Sequence, residues 1–287
     1  MGKRKAATPR PPLPADEFSV YCLASGSTGN AILLVAGGAA LLIDAGLGVR
    51  TLKRELEARK VAPAALSGIL LTHEHNDHVQ GAIPFARQYD VPLIATSGTL
   101  RMLFAHDRRD APHRVLEAKE QIGLGPFGIY AAPITHDAAD PTGFRVECGT
   151  NALAYATDTG TVTPEFGAAC DGVSLLAIES NHDIHKLRFG PYPDALKARI
   201  LGRNGHLSNN AACDLILAHT ERSGPSCVWL LHLSEVNNTP KMAMNYWKTR
   251  YREAGHRDSP ASVEVALRDV PSLVYRARSR AVQLALF

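Results

Sequence analysis

The stretch ILLTHEHNDHVQG, residues Ile69–Gly81, sets an apolar run directly against three histidines and two carboxylates, His73, Glu74, His75, Asp77 and His78. The apolar run reads as the end of a short buried strand, LSGILL, and the residues after it read as a helix, VQGAIPFARQY. In extended backbone, residues two apart face the same side. His73, His75 and Asp77 therefore project together, and His78 follows as the chain turns into the helix. Imidazole and carboxylate suit zinc or manganese, and six residues this rich in donors supply part of two metal sites. A solvated polar loop is the plain alternative, and a lone histidine is usually structural. The tight grouping is what argues for a metal.

Upstream, FSVYCLA, the Gly/Ser loop SGSTGN, AILLVA, a GG turn and ALLIDAG read as strands, with a hairpin around Gly37-Gly38. VRTLKRELEARK places Val49, Leu52 and Leu56 on one helical face with charges opposite. Downstream, extended and helical segments alternate. PLIAT, FGIYAAPIT, TGFRVEC, ALAYATD, VSLLAIES and CVWLLHL are extended; GTLRMLFAH and stretches near 193–202, 209–221 and 238–254 are helical. Residues with chemistry recur at strand ends: His73 after ILLT, His136 after APIT, Asp158 after LAYAT, Asn181 after LAIES, and His232 within VWLLHL. Side chains at one edge of an α/β sheet converge even when distant in sequence.

A chain of 287 residues buries a sizeable core. Residues 1–17, basic and proline-rich without periodicity, read as a disordered extension, leaving 18–287 as the folded domain. The tail's four cations and two carboxylates account for +2 of the formal charge of +3, so bulk charge makes no case for nucleic acid. The longest apolar run is 13 residues, against about 20 for a membrane span. The tail lacks the apolar core of a secretory signal, and the five cysteines are odd in number without a CxxC pair. Together these give the expectation of a cytoplasmic protein with no disulfide framework and no membrane contact. Two basic groups stand out locally: Lys186, Arg188, Lys197, Arg199 and Arg203, and then Lys241, Lys248, Arg250 and Arg252. Either tracks a phosphate backbone or is a solvated helix face.

THEHNDH resembles the HxHxDH motif of the metallo-β-lactamase fold superfamily, and the order of LLIDAG before it and His136, Asp158 and His232 after it agrees over roughly Phe18 to Trp247. That resemblance implies an α/β fold, a four-layer αββα sandwich with metals at one edge. It implies one ion held by His73, His75 and His136, another by Asp77, His78 and His232, with Asp158 bridging, and Asp44 supporting a ligand imidazole. Two such ions, zinc or manganese, lower the pKa of a bridging water toward neutrality and suit hydrolysis of a phosphodiester, a thioester or a lactam alike. The 55 residues after His232 leave little room for a helical substrate domain, and the 73 between Asp158 and His232 leave little for a large insertion.

CLASGSTGN, LLIDAG, LTHEHNDHVQG, YATDTG, ESNHD, GHLSN and HLSEVNN, in that order, resemble the YycJ/WalJ family of bacterial proteins. The family implies a nuclease, an exonuclease on double-stranded DNA. Under it Ser27 and Asn30 in the Gly/Ser loop and His182 are expected to contact substrate. Asp77 is expected to be catalytic as well as a ligand, and His206 to act as acid or phosphate clamp, with Ser208 or Asn209 capping the helix behind it. A small-molecule thioester or lactone hydrolase, an RNA-processing nuclease and a non-catalytic metal-binding regulator are the competing readings. A narrow apolar pocket would favour the first.

Overall fold

A computed structural model describes residues 17–106, 110–220, 224–256 and 261–278. The proline-rich tail, residues 1–16, lies outside the described residues, and the first strand already includes Glu17.

The described residues form two seven-stranded sheets. The first contains β1 (Glu17–Ala24), β2 (Ala31–Ala36), β3 (Ala39–Ile43), β4 (Leu66–Leu70), β5 (Leu93–Ala95), β6 (His113–Val115) and β14 (Leu273–Arg278), in the order β14-β1-β2-β3-β4-β5-β6. The second contains β7 (Gln121–Leu124), β8 (Phe127–Pro133), β9 (Thr142–Cys148), β10 (Asn151–Ala156), β11 (Leu175–Glu179), β12 (Cys227–Leu231) and β13 (Ser262–Val265), in the order β13-β12-β11-β10-β9-β8-β7. Each sheet is antiparallel in one part and parallel in the other: β3 to β6 run parallel, as do β10 to β13. The expected hairpin is β2–β3, turned by Gly37 and Gly38 at φ 55° and 76°. Two consecutive positive φ values match the strand twist and are open to glycine without a Cβ clash.

Burial explains the layering. Leu34, Ile43, Phe144, Tyr155 and Trp229 face a core between the sheets. Alternate residues of the same strands, such as Leu33, Leu42, Ala154 and Val228, face outward and are also buried. Strands covered on both faces read as continuous apolar runs, as AILLVA and CVWLL do. Helices α1 (Val49–Ala58), α2 (Asn76–Val79), α3 (Ala82–Tyr89) and α4 (Ser97–His106) accompany the first sheet, with Leu52, Leu56, Phe85 and Leu100 in its outer core. Of α5 (Pro164–Ala169), α6 (Ile184–Phe189), α7 (Asp194–Leu201), α8 (Asn209–Thr220) and α9 (Pro240–Glu253), the helices α5, α8 and α9 cover the second sheet through Phe166, Ile216 and Trp247. The result is the αββα sandwich. Among the described residues, no helix is long and apolar enough to cross a membrane.

Candidate metal centre

Strands β4, β10 and β12 end at one edge of the sandwich, and the residues just past them converge. Asp44, Asp158 and His232 each leave their strand at positive φ, 59°, 52° and 53°. That conformation costs of order 1–3 kcal/mol for a residue with a side chain. It turns the chain sharply and aims each side chain into the edge. His232 is the first residue beyond β12 rather than part of the strand.

All seven of the expected ligands come together. His73 and His75, after β4, meet His136, after β8: His73 Nε2 lies 3.0 Å from His75 Nδ1, and His136 Nε2 lies 3.3 Å from the same atom. Hydrogen bonds assign the tautomers. The Thr72 hydroxyl, engaged with Asp44, accepts from His73 Nδ1 at 3.0 Å, and the Gly205 carbonyl accepts from His136 Nδ1 at 3.2 Å. The Nε2 lone pairs of both rings are thereby left pointing at one place, which is the donor set of a cation site. Burial, with nearby histidines, holds His73 well below the ordinary histidine range, and burial lowers His136, so both rings are neutral as ligands must be.

Beside this group, Asp77 Oδ2 lies 3.4 Å from His78 Nε2 and 3.7 Å from His232 Nε2. Asp158 stands between the groups, its Oδ2 2.8 Å from His78 Nε2. Among the described residues Asp158 Oδ2 and His232 Nε2 are buried without a hydrogen-bond partner. With His78 Nδ1 donating to Asp44, a lone pair faces a carboxylate oxygen unless a proton or a cation sits between them. The upward pull on His78 makes the same demand: burial opposes its charge, but Asp44 and Asp158 outweigh burial. His232 is likewise pushed up to about 10, because Asp158, Asp77 and Glu179 together overcome burial. The donor atoms within His73/His75/His136, and within Asp77/His78/His232, all lie within 4.8 Å of one another. The residues fit divalent ions by donor type, by neutrality in one group and by excess negative charge in the other.

Two buried carboxylates lie beneath the cluster. Asp44, as expected, accepts from His78 Nδ1 at 2.8 Å and from the Thr72 backbone N–H at 2.9 Å. Glu179, which ends β11, was not singled out in the sequence. It accepts from His206 Nδ1 at 2.8 Å and His232 Nδ1 at 3.0 Å, and its other oxygen accepts from the backbone N–H groups of Thr159 and Leu207. The signal was present in LLAIES, where a carboxylate closes a wholly apolar strand.

The other expected residues divide. Ser27 is exposed and His206 half-buried, and both line a cavity of 280 Å³ over the cluster together with Asp77, Asn181, Tyr192 and Arg199. Asn30 is not in the cavity. It is fully buried and holds the Gly/Ser loop to the cluster: its Nδ2 donates to the Gly26 carbonyl at 3.0 Å and lies 3.0 Å from His78 Nε2. His182 is also buried, behind the cavity wall, and burial pushes it down to about 4. Asn209, in GHLSN, joins Asn238 and Ser180 in a buried network, while Asn181 holds the His232 carbonyl at 3.0 Å. Gly46 packs under the loops, where a Cβ would stand 1.7 Å from the Asp77 carbonyl oxygen. Of the first basic group, Arg199 reaches the cavity and binds Asp137 at 2.6 Å, Lys197 is mostly packed away beside Asp194, and Arg188 and Arg203 are exposed. The second group lies on α9, outside this cavity, with Arg250 paired to Asp214.

A family profile, the beta-lactamase superfamily domain, matches residues 40–232. The exodeoxyribonuclease YycJ of Bacillus anthracis is 34% identical over 229 residues, covering 79% of this chain and 85% of that protein. The exodeoxyribonuclease WalJ of Streptococcus pneumoniae is 32% identical over 230 residues, with the same coverage of 79% and 85%. The crystal structure of the metallo-beta-lactamase fold protein YhfI from Bacillus subtilis is similar with a TM-score of 0.68 at 17% identity, covering 91% of this chain and 100% of that one, which shows the shared fold. The histidine and aspartate cluster is accordingly a divalent-metal site, and the chain belongs to the YycJ/WalJ family of metal-dependent hydrolases in the metallo-β-lactamase fold superfamily.

Proposed function

We propose that this protein is a two-metal phosphodiesterase, an exonuclease acting on double-stranded DNA, with His73, His75 and His136 holding one ion, Asp77, His78 and His232 the other, and Asp158 shared. The observation that carries the reading is the placement of Asp158 between two donor groups on the floor of an open, polar cavity. Bound there, divalent ions activate water as the nucleophile and neutralise the phosphodiester's charge.

The chain's own residues supply the rest. Asp77, which lines the cavity, would hold one ion and, through it, serve activation of the water. Arg199 gives a cation on the rim, held by Asp137. Ser27, also lining the cavity, offers a hydroxyl. His206 has Nδ1 fixed on Glu179 at 2.8 Å, so Nε2 is the nitrogen available to the cavity. From there it donates a proton to the departing sugar oxygen, a poor leaving group otherwise. Asn30, being buried, serves the site through the Gly/Ser loop it braces, whereas the buried His182 ring has no hydrogen-bond partner among the described residues. The polar lining, with charged groups from several elements, supports a polyanionic substrate over a small thioester or lactone. A reducing cytoplasm as its compartment fits five free cysteines, four of them buried.

The test is a time course on end-labelled linear and circular DNA and RNA with added zinc or manganese. Progressive shortening of linear duplex DNA, with circles spared, is the expected result. Cutting of circles would make it an endonuclease, and preference for RNA would move it to RNA processing.

A further inference from the structure

One side of the cavity is built by α7 and the segment leading to it from α6, and α6 carries a feature that metal chemistry does not use. Phe189, its last residue, is 77% exposed, the most exposed large apolar side chain among the described residues. His185, one turn earlier and also exposed, lies against it with ring centroids 4.5 Å apart. The helix therefore presents a pair of flat rings to solvent. Leu187, between them in sequence, is buried, so the two rings are the apolar groups this helix exposes. Two cations flank them on the same helix, Lys186 and Arg188, with Asp183 capping its start; neither cation has an ion pair among the described residues.

Tyr192, three residues after Phe189, lines the cavity with Arg199 and His206. Three residues of chain span at most about 11 Å. The rings thus stand within the first few nucleotides of the reacting phosphodiester. Flat rings flanked by free cations are what nucleic-acid binders use when they hold single strands without regard to sequence, because every base has a π-face and every linkage a charge.

We propose that the His185–Phe189 ring pair stacks on an unpaired base of the substrate strand, with Lys186 and Arg188 against its phosphates, so that the strand enters the metal centre with its end frayed from the duplex. This rests on the phosphodiesterase reading of the cavity and adds to it the form in which the strand is taken. Duplex DNA is then a substrate that must first be opened, and the rings stabilise the opened end.

The experiment uses the full-length, metal-loaded protein and a blunt duplex carrying 2-aminopurine near either end. Rapid mixing with the parent protein is expected to raise the probe's emission before cleavage, because the base leaves the duplex stack that quenches it. Phe189→Ala is expected to lose that rise and about ten-fold in kcat/KM on blunt duplex, within the range that removal of a stacked aromatic costs such binders. Phe189→Trp is expected to restore both, Phe189→Leu neither, and a duplex with mismatched terminal pairs is expected to recover most of the Phe189→Ala loss. If the parent degrades DNA and Phe189→Ala matches it, or if Phe189→Leu rescues as well as Phe189→Trp, the stacking proposal falls alone. If the parent does not degrade DNA in any form, the phosphodiesterase reading falls first.

Discussion

The two halves of the metal centre are its two donor groups, and Asp44 and Glu179, one from each sheet, both sit beneath the second, under His78 and His232, yet they do different things. Asp44 serves a single ligand. One of its oxygens is saturated by the backbone N–H and hydroxyl of Thr72, and the other takes His78 Nδ1 at 2.8 Å, with Tyr155 Oη at 3.4 Å. Glu179 divides one oxygen between His232, in the ligand set, and His206, outside it, at 3.0 and 2.8 Å. The first carboxylate fixes a tautomer. The second ties His232 to His206, which lines the cavity, so a change in one is felt by the other.

The largest expected effect removes what the two halves share. Asp158→Ala should lower the content of both ions in protein purified without chelator, with activity falling beyond the about 10–100-fold that loss of an outer partner costs. Metal analysis checks it, and a single ion retained at full occupancy would mean the halves are independent. Next is His206→Ala. If it is the acid, both ions stay and DNA cleavage drops by about 10²–10⁴-fold, while bis(p-nitrophenyl) phosphate, whose nitrophenolate leaves without a proton, loses far less. Equal loss on both substrates would make His206 a phosphate clamp, and lost metal would move it into the ligand set.

Asp44→Asn and Glu179→Gln test the contrast directly. Each should weaken metal binding by about 10–100-fold. Only Glu179→Gln should lower kcat on DNA once metal is saturating, because only it frees His206. Indistinguishable kinetics at saturating metal would collapse the distinction drawn between the two carboxylates. The smallest effect is Tyr155→Phe, which removes a buried hydroxyl bonded to Thr157 at 3.2 Å and reaching Asp44. It should cost about 1 kcal/mol of stability in denaturant unfolding and leave the Glu179–His206 pair kinetically unaltered.

The same contrast accounts for what the sequence made legible. Asp44 and the His73–His78 run belong to adjacent elements of one sheet; two-residue periodicity after a strand displays His73, His75 and Asp77 together, and family resemblance adds Asp44. His136, Asp158, Glu179 and His232 come from four separate strands of the second sheet. Nothing local marks one strand-ending carboxylate as a partner of another strand's histidine. Family resemblance places His136, Asp158 and His232, whereas Glu179 has no place in the HxHxDH pattern. Asn30 and His182 illustrate the converse limit: each lies in a motif near the site, but burial decides whether a polar side chain meets substrate or neighbouring loops, and burial is a property of the packed sheets. Helix α6 escaped notice because six residues with one buried side chain show no period. Strand β6 escaped because all three of its residues are exposed.

Each donor group draws on both sheets: His73, His75, Asp77 and His78 follow a strand of the first, and His136, Asp158 and His232 follow strands of the second. The unfolded chain holds these donors up to 159 residues apart, so it offers an ion no preformed site. Divalent metal bound at this edge consequently acts as a cross-link between the sheets, and its binding energy is part of the folding energy. At a free concentration a hundred times the dissociation constant, one ion adds about 2.7 kcal/mol, a substantial share of the about 5–15 kcal/mol that holds a typical protein folded. The unfolding midpoint is therefore a function of metal supply, and a cell that withholds the ions withdraws stability from the sandwich along with its chemistry.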